Sequence, residues 1–122
     1  MEFFKIIDRR VSEAIIQEKI TPKTIEKFTE SMFLLETIEN DYSCGTLWGE
    51  FVVSYHKIKG GVRFALLDCP NALQWTITTG FPPKESNIVI HLTINRSQKP
   101  TAFIDEIQEF IEEWAIGLNS AL

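Results

Sequence analysis

Residues Thr101 to Leu122 constrain this chain more than any other stretch. Phe103, Ile107, Phe110, Ile111, Trp114 and Leu118 recur at helical spacing and fall on one side of a helix. The other side carries Asp105, Glu106, Glu109, Glu112 and Glu113, and the segment contains no Lys or Arg. Six large apolar side chains at roughly 1.5–3 kcal/mol each represent a gross burial comparable to the net stability of a small domain. A helix with that much to bury is expected to be part of the core, which makes its acidic side a rigid surface.

The chain of 122 residues is the size of one domain with a single hydrophobic core, and its 44% hydrophobic and 24% charged composition is globular. No stretch approaches the ~18 consecutive apolar residues of a membrane span. The start, Met1-Glu2-Phe3-Phe4-Lys5, lacks the pattern of a secretory signal, so a cytoplasmic protein is expected. Cys44 and Cys69 are too few and too far apart for a zinc site or a CxxC pair, and read as thiols packed in a reducing compartment. The net charge is −5, and residues 31–122 hold all of the excess. Glu36, Glu39, Asp41 and Glu50 lie in a stretch, 36–56, free of Lys and Arg. With the last helix they form one acidic surface if the fold brings them together. Such a field attracts basic proteins and repels nucleic acid and acidic membranes.

Phe4, Ile7, Val11 and Ile15 step at near-helical intervals, and Thr21-Pro22 restarts a second helix through Ile25, Phe28, Met32, Leu35 and Ile38 to about Asn40. Residues 31–39 also read as a short strand, because Met32-Phe33-Leu34-Leu35 is apolar on every side. Asn40 to Gly45 reads as a turn, after which the period becomes two. The expected strands are Thr46–Ile58, Val62–Cys69 after the Lys59-Gly60-Gly61 turn, Leu73–Thr78, and Ile88–Asn95. Gly80-Phe81-Pro82-Pro83 separates the last two, and Thr101 is the expected cap of the last helix. The fold class is therefore α+β: an antiparallel four- to five-stranded meander with two N-terminal helices and a C-terminal amphipathic helix packed on it, in one domain over 1–122.

Phosphate-binding glycine loops, a GxSxG elbow, HExxH and cysteine–histidine zinc spacing are missing from the sequence. A Cys44–His91–Asp68 triad, or His56 and His91 with Asp41 around a metal, can be drawn without any supporting local signature. Asp105 with Glu109, and Glu109 with Glu113, lie one helical turn apart, but read more simply as a solvated face. Gln74, Thr76, Thr78, His91, Thr93 and Asn95 share the parity opposite the apolar stripe, which makes a polar sheet face. Closed by Phe81 and Pro82-Pro83, it would suit a small molecule. Lys57, Lys59, Arg63, Lys84, Arg96 and Lys99 do not overcome the acidic balance, so nucleic acid is not an expected partner.

A compact acidic chain with a meander sheet, a bulky helix and no catalytic signature resembles the small cytoplasmic immunity proteins of bacterial toxin systems, including those of contact-dependent inhibition. The resemblance covers size, charge and organisation. It implies a non-catalytic protein, without cofactor or metal, in a one-to-one complex with a basic toxin domain such as a nuclease. On that reading Glu36, Glu39, Asp41, Asp105, Glu109, Glu112 and Glu113 meet the partner, with Tyr42 or Trp48 as anchors. The alternative is a secretion-chaperone-like or small-ligand-binding α+β domain. Acidic secretion chaperones are similar in size and charge, but they place a dimerisation helix where this chain has only Gly80 to Asn87, with two prolines. Oligomeric state separates the readings, and the sequence leaves it open.

Overall fold

The computed structural model describes residues 1–80, 86–95 and 98–122. In chain order they form β1 (Glu2–Ile7), α1 (Glu13–Lys19), a 3₁₀ turn (Ile25–Lys27), β2 (Met32–Ile38), β3 (Asp41–Thr46), β4 (Gly49–Ile58), β5 (Gly61–Leu66), β6 (Gln74–Thr79), β7 (Ile88–Thr93) and α2 (Thr101–Ala121). The strands make one antiparallel sheet in the order β1-β7-β6-β5-β4-β3-β2. The α+β class, the antiparallel sheet and the C-terminal helix match expectation; seven strands and two α-helices replace the expected four or five strands and three helices.

The corrections have identifiable causes. Residues 2–7 are a strand rather than the start of a helix, paired with β7 from Glu2↔Thr93 to Ile7↔Ile88. Their apolar residues sit on both faces: Ile7 is buried, whereas Phe4 and Ile6 are 61% and 55% exposed. That two-sided run produces helix-like spacing by coincidence. The second expected helix shrinks to one 3₁₀ turn, because the Ser31 amide bonds the Thr29 hydroxyl and the chain then enters β2. Pairing Met32↔Thr46 and Leu34↔Cys44 places both apolar residues on the covered face. Thr21 caps no helix; its amide bonds the Thr24 hydroxyl, which donates to the Lys19 carbonyl. The expected strand Thr46–Ile58 is divided by a turn at Leu47-Trp48, closed by the Thr46 hydroxyl on the Trp48 amide and the Gly49 carbonyl. Residues 41–45, expected as a turn, belong to β3, and the reversal is made at Glu39-Asn40 instead. Thr101 opens α2 as its first residue, with Pro100 at the capping position and no side-chain cap.

One sheet face is covered and the other is open. Val53, Val62, Phe64, Trp75, Ile77, Ile90 and Leu92 point into the covered side and are essentially inaccessible. There α1 is capped by Ser12, whose hydroxyl accepts from the Ile15 amide. Glu13 and Gln17, one turn apart, grip the β4–β5 hairpin: Glu13 accepts from the Gly60 amide, and Gln17 donates to the Ile58 and Gly61 carbonyls. Gly60 has a φ of 90°, the reason glycine suits that turn.

The long helix α2 lies in the grip of both sheet edges. Its buried residues are Ile107, Phe110, Ile111, Trp114, Ala115, Gly117 and Leu118. Glu112 pairs with Lys5 of β1 at 3.0 Å. Glu113, the next residue, reaches the other way to the Ser31 hydroxyl and the Glu30 amide at the foot of β2. Among the described residues no helix is long and apolar enough to cross a membrane.

Candidate functional site: an aromatic cleft at the start of the long helix

The aromatic residues of the core form a continuous cluster. Phe64, Trp75, Phe110 and Trp114 are at most 1% exposed, with Phe64 stacked on Trp75 at 5.3 Å and Phe110 edge-on to Trp75 at 5.1 Å. Trp48 extends the cluster from the β3–β4 turn, its ring 5.2 Å from Phe110 and 5.9 Å from Phe103. There the close packing stops. Trp48, Phe51, Cys69, Pro70, Asn71, Leu73 and Phe103 line a cleft of about 300 Å³ between the start of α2 and the ends of the central strands.

The walls come from three places. Trp48 and Phe51 stand at the turn into β4, and Phe103 is in the first turn of α2. Cys69, Pro70, Asn71 and Leu73 belong to the β5–β6 connection. That connection is held by the Leu73 carbonyl on the Leu66 amide, and by the Asn71 carbonyl on the Asn95 amide. It carries positive φ at Asp68 (59°) and Ala72 (50°), which brings the segment between them against Trp48 and Phe103. The lining side chains are apolar apart from Asn71 and the Cys69 thiol. Behind this lining the Asn71 carboxamide oxygen accepts from the Lys99 ammonium at 2.7 Å, which ties Lys99 to the cleft through Asn71.

The Trp48 indole N–H is buried and has no hydrogen-bond partner among the described residues, and neither do those of Trp75 and Trp114. A buried donor left unpaired costs about 1–3 kcal/mol. Trp75 and Trp114 lie wholly inside the ring cluster. Trp48 lines the cleft, but its N–H is turned inward and inaccessible, so it is the ring that an entering molecule meets.

The residues expected to meet a partner are distributed differently. Asp105, Glu109 and Glu112 lie on the exposed side of α2, whereas Glu113 is half-buried and engaged with Ser31 and Glu30. Glu36 and Glu39 are exposed at the edge strand β2 and its turn, Glu39 at a φ of 51°. Asp41 and Tyr42 follow in β3, half-buried. The turn stands about 20 Å along β2 from Met32, six residues at roughly 3.3 Å each, while the β2 contact of α2 is at the foot of that strand. Trp48 faces the interior of the cleft wall, packed on α2.

The remaining alternatives separate in space. Cys44 pairs with Phe51 on the covered face, and His91 lies on the open face of β7, four strands away, roughly 19 Å at strand spacing. Burial pushes the Cys44 thiol up to about 11, which leaves it un-ionised at neutral pH. Burial, and then the neighbouring Tyr42, raise Tyr55 to about 12; its hydroxyl donates to the Ile20 carbonyl. His91 is stacked on Phe4 at 4.3 Å and bonded to Glu2 at 3.0 Å, while His56 sits on β4 opposite Arg63. Among the described residues, no three His, Cys, Asp or Glu side chains are grouped to hold a metal. Of the expected polar face, Gln74↔Thr93 and Thr76↔His91 are opposed across β6 and β7, but Thr78 faces Val89, Phe4 and Ile6 of β1 share that face, and Asn95 lies beyond the end of β7. The closing segment expected for that face, Phe81 with Pro82-Pro83, lies outside the described residues.

Sequence pattern marks Trp48 as an anchor but gives no sign of Phe51, Cys69, Asn71 and Leu73 as its neighbours in a cleft. The one available signal is Phe103, the first residue of the apolar stripe, placed too early on α2 to sit over the middle of the sheet. No protein-family model matches the chain, and no curated protein matches it.

Proposed function

We propose that this protein is a non-catalytic binding module that takes a small, mostly apolar molecule into the cleft between Trp48, Phe51, Leu73 and Phe103. The supporting observation is that the aromatic cluster ends, at Trp48 and Phe103, in an open cleft. There the rings of Trp48, Phe51 and Phe103 stand around about 300 Å³ of space, with Asn71 as the polar side chain of the lining. Ligand pockets have this composition, apolar walls with a few placed polar groups, and this volume falls at the small end of their range. A two-ring molecule fits. At about 0.4 kcal/mol per non-hydrogen atom it binds with a Kd of roughly 0.1 mM, before any evolved specificity. The neutral probe 2-naphthamide, titrated calorimetrically, is expected to bind once per chain. Cys69→Phe, which puts a ring into the cleft from a half-exposed position, is expected to weaken it at least tenfold while the unfolding midpoint stays within a few degrees. No heat of binding to the parent chain, or equal binding by the filled variant, contradicts this reading.

A second reading, the blocker of a basic toxin-like partner, is supported by the exposed row Asp105, Glu109 and Glu112 on a rigid helix. Of these only Glu112 has a cation beside it among the described residues. A basic protein recovered from host lysate at low salt by the parent chain, but not by the Asp105→Lys, Glu109→Lys, Glu112→Lys variant, is the expected result. Equal recovery by both removes this reading.

A further inference from the structure

Asn71 of the cleft lining holds a lysine, Lys99, whose charge no carboxylate neutralises among the described residues. Lys99 is half-exposed, and its ammonium donates to the Asn71 carboxamide oxygen, a neutral acceptor, in a partly buried contact. The ion pairs among the described residues are Lys5 with Glu112 and His91 with Glu2, and neither involves Lys99. The chain has 17 acidic residues and a net charge of −5, so a carboxylate partner was not in short supply. An ammonium has three donors, and one that satisfies a single amide oxygen leaves the others directed to whatever approaches. Asn71 is shared: its side chain holds Lys99 and it also lines the apolar cleft.

We infer that the molecule bound in the cleft is an amphiphilic carboxylate, its apolar body against Trp48, Phe51, Leu73 and Phe103 and its anionic end at Lys99. This rests on the cleft being a binding site, and adds the charge of the occupant. The apolar walls supply most of the burial, and Lys99 decides among molecules of the same shape. A charge-assisted hydrogen bond at a partly desolvated ammonium is stronger than one to a neutral amide. The acidic surface elsewhere works against the anion from a distance. At physiological salt that field is screened beyond about 8 Å, whereas the contact at Lys99 is not. The net preference therefore follows Lys99.

The test compares naphthalene-2-carboxylate with 2-naphthamide, two probes of nearly equal shape that differ in charge, by calorimetry at about 0.15 M salt, the physiological screening regime. The parent chain is expected to bind the carboxylate at least tenfold more tightly than the amide. In Lys99→Met the ratio is expected to fall to within twofold of one, whereas in Lys57→Met, which removes a lysine on β4, it stays above ten. Equal binding of the two probes by the parent chain overturns the inference and leaves the cleft as a neutral site. So does a ratio that survives Lys99→Met. Binding of neither probe removes the cleft reading as well, so the two failures are distinguishable. Chain variants that do not fold are recognised by circular dichroism, and Lys99→Gln, which keeps a polar end on the tether to Asn71, then takes the place of Lys99→Met with the same expected ratio.

Discussion

Replacing Trp114 by alanine is expected to lower the stability by about 3–5 kcal/mol, the range for losing a large aromatic from a core. The residue is inaccessible, and its ring lies 6.0 Å from Phe28, 5.8 Å from Phe64 and 6.3 Å from Trp75. It therefore joins three separate parts of the chain: the segment before β2, the centre of the sheet, and α2. The alanine leaves a cavity lined by rings, which are rigid and collapse poorly into the space. One gain partly offsets the loss, because the Trp114 N–H has no partner among the described residues and its removal relieves an unpaired buried donor. Trp114→Phe keeps much of the volume and removes the same donor, so its cost is expected to be below half that of Trp114→Ala. Urea unfolding with an unchanged m-value measures both. A cost under about 1 kcal/mol for the alanine would mean that α2 is not integral to the core.

Gly117→Ala is expected to have the second large effect, and here two influences of opposite sign compete. Alanine in a helix interior is favoured over glycine by about 1 kcal/mol. A Cβ at position 117, however, would stand 1.9 Å from the Phe28 carbonyl oxygen and 2.6 Å from its carbon. The obstacle is backbone, which cannot rotate away as a side chain can. The segment before β2 must shift from α2, and with it the Phe28 ring stacked on Trp114 and the Ser31 contact of Glu113. Overpacking of this kind costs about 1–3 kcal/mol, sometimes more. The clash outweighs the helical preference, because contact with backbone at that distance puts it at the upper end of the range. A net loss of about 2 kcal/mol is expected. Asn119→Ala, at an exposed position two residues on, is the control and should change stability by less than about 0.5 kcal/mol. A stabilised Gly117→Ala variant would contradict the close approach of α2 to the Phe28 backbone.

Legibility of the chain follows the number of faces each element presents. The stripe from Ile107 to Leu118 is readable because α2 has one wet side, and β7 because Ile88, Ile90 and Leu92 alternate with half-exposed residues. Strands β1 and β2 are not, since Phe4 and Ile6, and Phe33 and Leu35, are apolar on the exposed face as well. An apolar run on both faces has no period of two. The break between β3 and β4 is hidden because Leu47-Trp48 lacks the Asn, Asp or Pro that usually marks a turn, and only Gly49, at a φ of 121°, betrays it. The cleft depends on residues 48, 51, 69–71, 73 and 103 meeting, a juxtaposition that exists only once α2 has docked on the sheet. The acidic side of α2 is legible, but not the use of Glu112 and Glu113 as ties to opposite sheet edges.

The three indole N–H groups give the most direct test of the cleft as a binding site. In a ¹⁵N–¹H spectrum they form three resolved signals, assigned by Trp48→Phe, Trp75→Phe and Trp114→Phe. On titration with 2-naphthamide the Trp48 signal is expected to move as the probe's rings pack against the indole, with saturation at one molecule per chain. The Trp75 and Trp114 signals, enclosed in the ring cluster, are expected to shift far less. A Trp48 signal that stays in place while the probe reaches millimolar concentration would contradict the account, as would uniform movement of all three.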